Sequence, residues 1–128
     1  MNTALAQCNE INDDIKVALA NIATHLDEIA SEISHLKADG VFNQIPSESW
    51  ETRNGGDTKY LRLVFPSSGG KRHKEYIGCH PGLISTAWTK IERSKRRKDL
   101  QIEQRRLRQR LWRARGSLVS AKSDLVTI

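Results

Sequence analysis

LAQCNEINDDIKVALANIATHLDEIASEISHL, residues 5–36, sets its apolar side chains at alternating spacings of three and four. The stripe runs Leu5, Cys8, Asn12, Ile15, Leu19, Ile22, Leu26, Ile29, Ile33, Leu36, with a single polar break. That spacing is a heptad seam: Leu5, Asn12, Leu19, Leu26 and Ile33 take position a, and Cys8, Ile15, Ile22, Ile29 and Leu36 take d. Asp39-Gly40 then predicts a helix end, with Gly as the C-terminal stop.

Residues 100–128 repeat the pattern, through Leu100, Gln104, Leu107, Leu111, Ala114, Leu118, Ala121, Leu125 and Ile128. Folding the chain back sets a against d in every layer of an antiparallel pair if paired residue numbers sum to 133. Leu5 then meets Ile128, Ile15 meets Leu118, Leu19 meets Ala114, Leu26 meets Leu107 and Ile33 meets Leu100. Asn12 faces Ala121 and Gln104 faces Ile29, solitary polar residues of the kind that fix register. Parallel pairing between two copies would use the same stripes; the 60 or so residues between them favour a hairpin. Small flanking residues (Ala4, Ala18, Ala23, Ala30) fit either close approach of the two helices or a second hairpin packed alongside as a homodimeric four-helix bundle.

Between the stripes the period changes to two, with turn signals at Asn54-Gly55-Gly56-Asp57 and Pro66-Ser67-Ser68-Gly69-Gly70. Three strands are predicted, at about 48–53, 58–65 and 71–77. In the middle one Leu61, Leu63 and Phe65 point one way and Tyr60, Arg62 and Val64 the other. The apolar face needs a cover, which the stripe Leu83, Ile84, Ala87, Trp88 and Ile91 supplies after a Pro81 suited to a first helical turn. The expected fold is therefore α+β: a long antiparallel coiled-coil hairpin (residues 1–39 and 83–128) with a three-stranded antiparallel β-sheet (residues 40–82) inserted at its tip. The second helix is expected to pack first on the sheet and then on the first helix.

Lys and Arg number 21 against 15 Asp and Glu, a formal charge of +6 with a pI near 9.6. Residues 1–38 hold two basic and six acidic side chains, a net of −4, whereas residues 83–128 hold thirteen basic and four acidic, a net of +9. An acidic helix pairing with a basic one explains part of this. Arg105, Arg106 and Arg113 nevertheless point away from the seam, and the run Arg93-Ser94-Lys95-Arg96-Arg97-Lys98 sits where the stripe changes phase. Both suit phosphate contacts. Strand alternation puts Tyr60, Arg62, Arg72, Lys74 and Tyr76 on one face, mixing cations with rings. Such a face can enter a DNA major groove or stack single-stranded bases.

Catalysis finds little support. Carboxylates are scattered, the Gly pairs lie in hairpin turns without a phosphate-loop context, and Cys79-His80 lacks a second ligand pair, so neither metal nor cofactor is expected. Cys8 and Cys79 are distant in sequence, and no apolar run nears the ~20 residues of a membrane span. A reducing, cytoplasmic setting without membrane contact is the expectation.

The stretch KYLRLVFPSSGGKRHKEYIGCHPGLISTAW, residues 59–88, resembles the small N-terminal DNA-binding modules of phage-type tyrosine integrases, three strands packed on one helix. The matching features are the strand around Tyr60 to Phe65, the Gly69-Gly70 turn, the strand ending Tyr76-Ile77-Gly78 and the Pro entry to the helix. The stretch is also similar to short bacterial proteins with such a hairpin between two helices. The resemblance implies DNA contact through Arg62, Arg72 and Lys74. With no recombinase domain in these residues, it implies an accessory or regulatory role, as in a mobile element. Nucleic acid, DNA ahead of RNA, is thus the expected partner. The competing expectation is a protein–protein adaptor, or an inhibitor of a nucleic-acid enzyme, acting through the coiled coil or the sheet.

Overall fold

The computed structural model describes residues 3–66 and 70–127. In chain order the elements are α1 (Thr3–Asp39), β1 (Ser47–Thr52), β2 (Lys59–Val64), β3 (Lys74–Gly78) and α2 (Pro81–Val126). This is the expected α+β hairpin, two long helices with an antiparallel sheet of order β1-β2-β3 inserted between them. Ser67, Ser68 and Gly69 of the second turn, and Ile128 of the second stripe, lie outside the described residues. Two compact units result: a coil unit, Met1–Ile33 with Leu100–Ile128, and a sheet unit, Ser34–Asp99.

In the coil unit burial follows the heptads. Ile29, Ile33, Leu100 and Leu107 are buried, and Ile15, Leu19, Ile22, Leu26, Leu111 and Ala114 half-buried. The outer heptads depart from expectation: Leu5, Leu118 and Leu125 are 58%, 38% and 79% exposed, and Cys8, Asn12 and Ala121 are exposed as well. Layers containing Asn12, Ala114 and Ala121 supply little apolar area. Each methylene missing there withholds about 0.8 kcal/mol of closing free energy. Alongside the closed part, the His25 ring nitrogen Nε2 and Glu103 Oε1 lie 2.8 Å apart across the helices.

The sheet unit has its own core of Phe42, Leu61, Leu63, Ala87 and Ile91, with Ile45, Phe65, Ile77 and Ile84 packed against it. Leu61 and Leu63 are fully enclosed, as the strand alternation requires. The helical cover is narrower than expected: Ile84, Ala87 and Ile91 face the sheet, whereas Leu83 and Trp88 remain 56% and 44% exposed. Residues three, four and seven apart share one helix face, so Ile84, Ala87 and Ile91 suffice to cover so small a sheet. Residues 40–46 supply the remainder of the cover through Phe42 and Ile45, and the Phe42 and Phe65 rings meet edge to face at 5.3 Å.

Side chains of α2 tie down the end of α1. Gly40, with a φ of 110° that suits glycine, donates its N–H to the Leu36 carbonyl and closes α1. The Arg93 guanidinium donates to the carbonyls of Asp39 (2.8 Å) and Gly40 (2.9 Å), and Arg97 to those of Phe42 (2.8 Å) and Asn43 (3.2 Å). The buried Ser94 hydroxyl accepts from the Phe42 N–H at 2.8 Å and donates to the Lys90 carbonyl at 2.7 Å. Lys90 lays its ammonium 4.3 Å from the Phe42 ring centroid. Helix α2 is itself capped by His80, whose Nδ1 accepts the Gly82 N–H at 3.1 Å and whose carbonyl accepts that of Ile84.

Candidate nucleic-acid interface

The open face of the sheet follows from its register. Ser49 pairs with Arg62, Glu51 with Tyr60, and Arg62 in turn with Tyr76. A bulge then slips the ladder, so that Leu61 pairs with Gly78. The extra residue, Ile77, joins the core, and Gly78 takes the left-handed backbone (φ 101°) that such a bulge uses. The slip leaves the Tyr76 ring beside that of Tyr60: the two stack at 6.5 Å with 23° between their planes.

Arg53 completes the cluster. The turn after β1 places Asn54 and Gly55 both at positive φ, with the Gly56 N–H donated to the Arg53 carbonyl, the tight geometry of a primed hairpin turn. It folds the Arg53 guanidinium back to 4.6 Å from the Tyr60 centroid and 5.1 Å from that of Tyr76. Both distances are within cation–π range. Tyr76 keeps 51% of its surface exposed.

The expected site residues therefore divide. Tyr60, Arg62 and Tyr76 come together on the open face, where Arg62 is held by Glu51 at 3.0 Å. Lys74, opposite Val64, is exposed at its edge. Arg72 is also exposed, but lies in the connection before β3 rather than on the strand ladder. Of the basic run, Arg93 and Arg97 spend their guanidinium groups on backbone carbonyls, and Lys95 pairs with Glu92 at 3.3 Å. Arg96 and Lys98 are exposed. In the coil unit Arg105 and Arg113 border a groove along α2 with Arg108, Trp112, Gln104 and Gln109, while Arg106 is exposed. Arg53 was not among the expected residues; its signal is the Asn54-Gly55 turn directly after it, which reverses the chain over Tyr60.

The charge is partitioned in the same way. The sheet unit holds thirteen basic and seven acidic residues, so the whole excess of +6 belongs to it. The coil unit is balanced, with −5 on its α1 part (one basic, six acidic) and +5 on its α2 part (seven basic, two acidic).

Among the described residues no three His, Cys, Asp or Glu side chains are grouped to hold a metal, and Cys8 and Cys79 are both exposed free thiols. Among the described residues no helix is long and apolar enough to cross a membrane. Comparison with protein-family models, curated proteins and solved structures finds no match to this chain.

Proposed function

We propose that the chain is a nucleic-acid-binding accessory or regulatory protein that contacts DNA through the open face of its sheet. The observation that carries this reading is the Tyr60–Tyr76 stack under Arg53, in a unit that bears all of the excess positive charge. Flat rings and a guanidinium plane stack on bases, and the exposed Lys71, Arg72 and Lys74 at the entry to β3 attract phosphates. The resemblance of residues 59–88 to integrase N-terminal modules favours the same face, and DNA over RNA.

Fluorescence anisotropy on duplex DNA, single-stranded DNA and RNA over a range of salt concentrations tests it. Binding should weaken steeply with salt. Tyr76→Ala should weaken binding to single strands by about 5- to 100-fold, the worth of one stacked base. Arg72→Ala should weaken binding alike on all duplex sequences, as loss of a phosphate contact does. No binding at low salt would eliminate nucleic acid as the partner.

A second reading, a protein adaptor, is favoured by Trp50 and Trp88. Their rings meet at 6.5 Å, yet they remain 40% and 44% exposed beside an exposed Leu83. Aromatic anchors of this kind are enriched in protein interfaces. Partners retained from nuclease-treated lysate by the wild type but lost by Trp88→Ala would favour it.

A further inference from the structure

In an antiparallel helix pair, position e of one helix lies beside e of the other, so the e and b positions of both helices share one side of the coil unit. On α1 these positions hold Asp13, Ala20, Ala23, Asp27 and Ala30, short side chains with two carboxylates, besides Lys16. On α2 they hold Arg105, Arg108, Trp112, Arg115 and Val119, long, basic and aromatic. One strip is a shallow acidic trough and the other a basic ridge.

The apolar surface of this side is left open. Trp112 is 71% and Val119 54% exposed, with the Arg115 guanidinium 5.5 Å from the Trp112 ring. Beside them a cleft opens, lined by Leu19, Leu111, Leu118, Val119 and the stems of Arg115 and Lys122. The heptad pattern sets the small Ala114 against Leu19 along this stretch, a side chain that would fill little of the seam.

We propose that this side of the coil unit is closed by a second copy of the chain, with α2 of each copy laid antiparallel over α1 of its partner. A partner for this side must present an acidic trough and a basic ridge next to each other, in the reverse order. The same face of another copy does so. Two two-fold axes can set the face on itself. An axis perpendicular to the helices would put α1 on α1 and α2 on α2, acid on acid and base on base. An axis parallel to them sets Asp27 of each copy beside the partner's Arg105 and Asp13 near the partner's Lys122, and charge selects that arrangement. With seam numbers summing to 133, Trp112 then falls over the partner's Ala20 and the partner's Ala23, and Arg105 beside the partner's Asp27. About 30 residues of each helix at 1.5 Å per residue, two helices wide, offer roughly 900 Å² per copy. A stable interface of standard size uses about 800 Å².

The test is mass in solution, by sedimentation equilibrium and light scattering on the full chain. Wild type should run at twice the 14.5 kDa chain mass. Asp27→Arg and Arg105→Asp should each shift the protein towards monomer, because each sets like charges against each other across the two-fold axis. An equimolar mixture of the two variants should recover the dimer, since each then faces its opposite. Wild type at the single-chain mass, variants that dimerise as it does, or a mixture that stays monomeric would each overturn the proposal. Trp112→Ala changes no charge and gives an independent reading: association about tenfold weaker or more is expected, and unchanged association overturns it.

Discussion

His25 shows how far one side chain can be followed. It is half-exposed, with one ring nitrogen against Glu103 at 2.8 Å and the other 3.8 Å from Glu28. The hydrogen bond to Glu103, reinforced by the charges of both carboxylates against a smaller opposing effect of burial, raises its pKa above the ordinary 6.5. A raised pKa means that the folded state holds the proton more tightly than the unfolded one. The resulting stability is complete below pH 6.5 and disappears as the pH rises through the raised value. Thermal melts of wild type and His25→Gln should therefore differ most just below pH 6.5 and converge once the pH has risen past the raised value. A gap that is constant, or that widens in alkali, would mean that the Glu103 contact does not depend on the imidazolium.

At the scale of elements, the two ends of the basic run of α2 do different work. Arg93 and Arg97, one turn apart on one helix face, donate to four carbonyls of residues 39–43. Arg93 meets the end of α1, where a cation both hydrogen-bonds an unsatisfied carbonyl and complements the helix dipole, and Arg97 satisfies carbonyls of the segment that follows. Arg93→Gln or Arg97→Gln should cost about 1–2 kcal/mol of stability in urea unfolding while leaving the salt dependence of nucleic-acid binding nearly unchanged. Lys95→Gln with Lys98→Gln should leave stability nearly unchanged and weaken binding alike on all sequences. The opposite pattern would return Arg93 and Arg97 to the binding surface. These two arginines also mark the limit of what was legible in the sequence. Periodicity gave both helices, the three strands and the inward Leu61 and Leu63, because a period of two or three and a half is a property of the chain itself. Charge runs carry no such geometry: nothing in RSKRRK shows which members meet the carbonyls of a segment 50 residues away. Phe42 and Ile45 were missed because residues 40–46 have no period at all. The helical stripe that points to the cover includes Leu83 and Trp88, although Ile84, Ala87 and Ile91 already cover the sheet.

For the whole molecule, the partition of charge makes the roles of the two units separable. A polyanion senses mainly the charges within about a Debye length, 8 to 10 Å, so the unit it lies against decides its attraction. Over the coil unit the net charge is zero, and over the sheet unit it is +6. The arginines of α2 in the coil unit, Arg105, Arg106 and Arg113, are thus offset by carboxylates of α1, and Arg105 is offset again where a second copy brings its Asp27 against it. Lys71, Arg72 and Lys74 have fewer acidic neighbours in sequence, Glu75 alone between residues 58 and 91. If about four phosphates are neutralised, log affinity for duplex DNA should fall with log salt at a slope near −3.6, about −0.9 for each contact. Replacing Lys71, Arg72 and Lys74 by Gln should remove about three of those contacts and flatten the slope to roughly −1. Replacing Arg105, Arg106 and Arg113 by Gln should change it by less than about one contact, even as sedimentation detects weaker self-association. Equal flattening by both sets would show the α2 arginines on the phosphates, and flattening by the second set alone would move the DNA surface from the sheet to the coil.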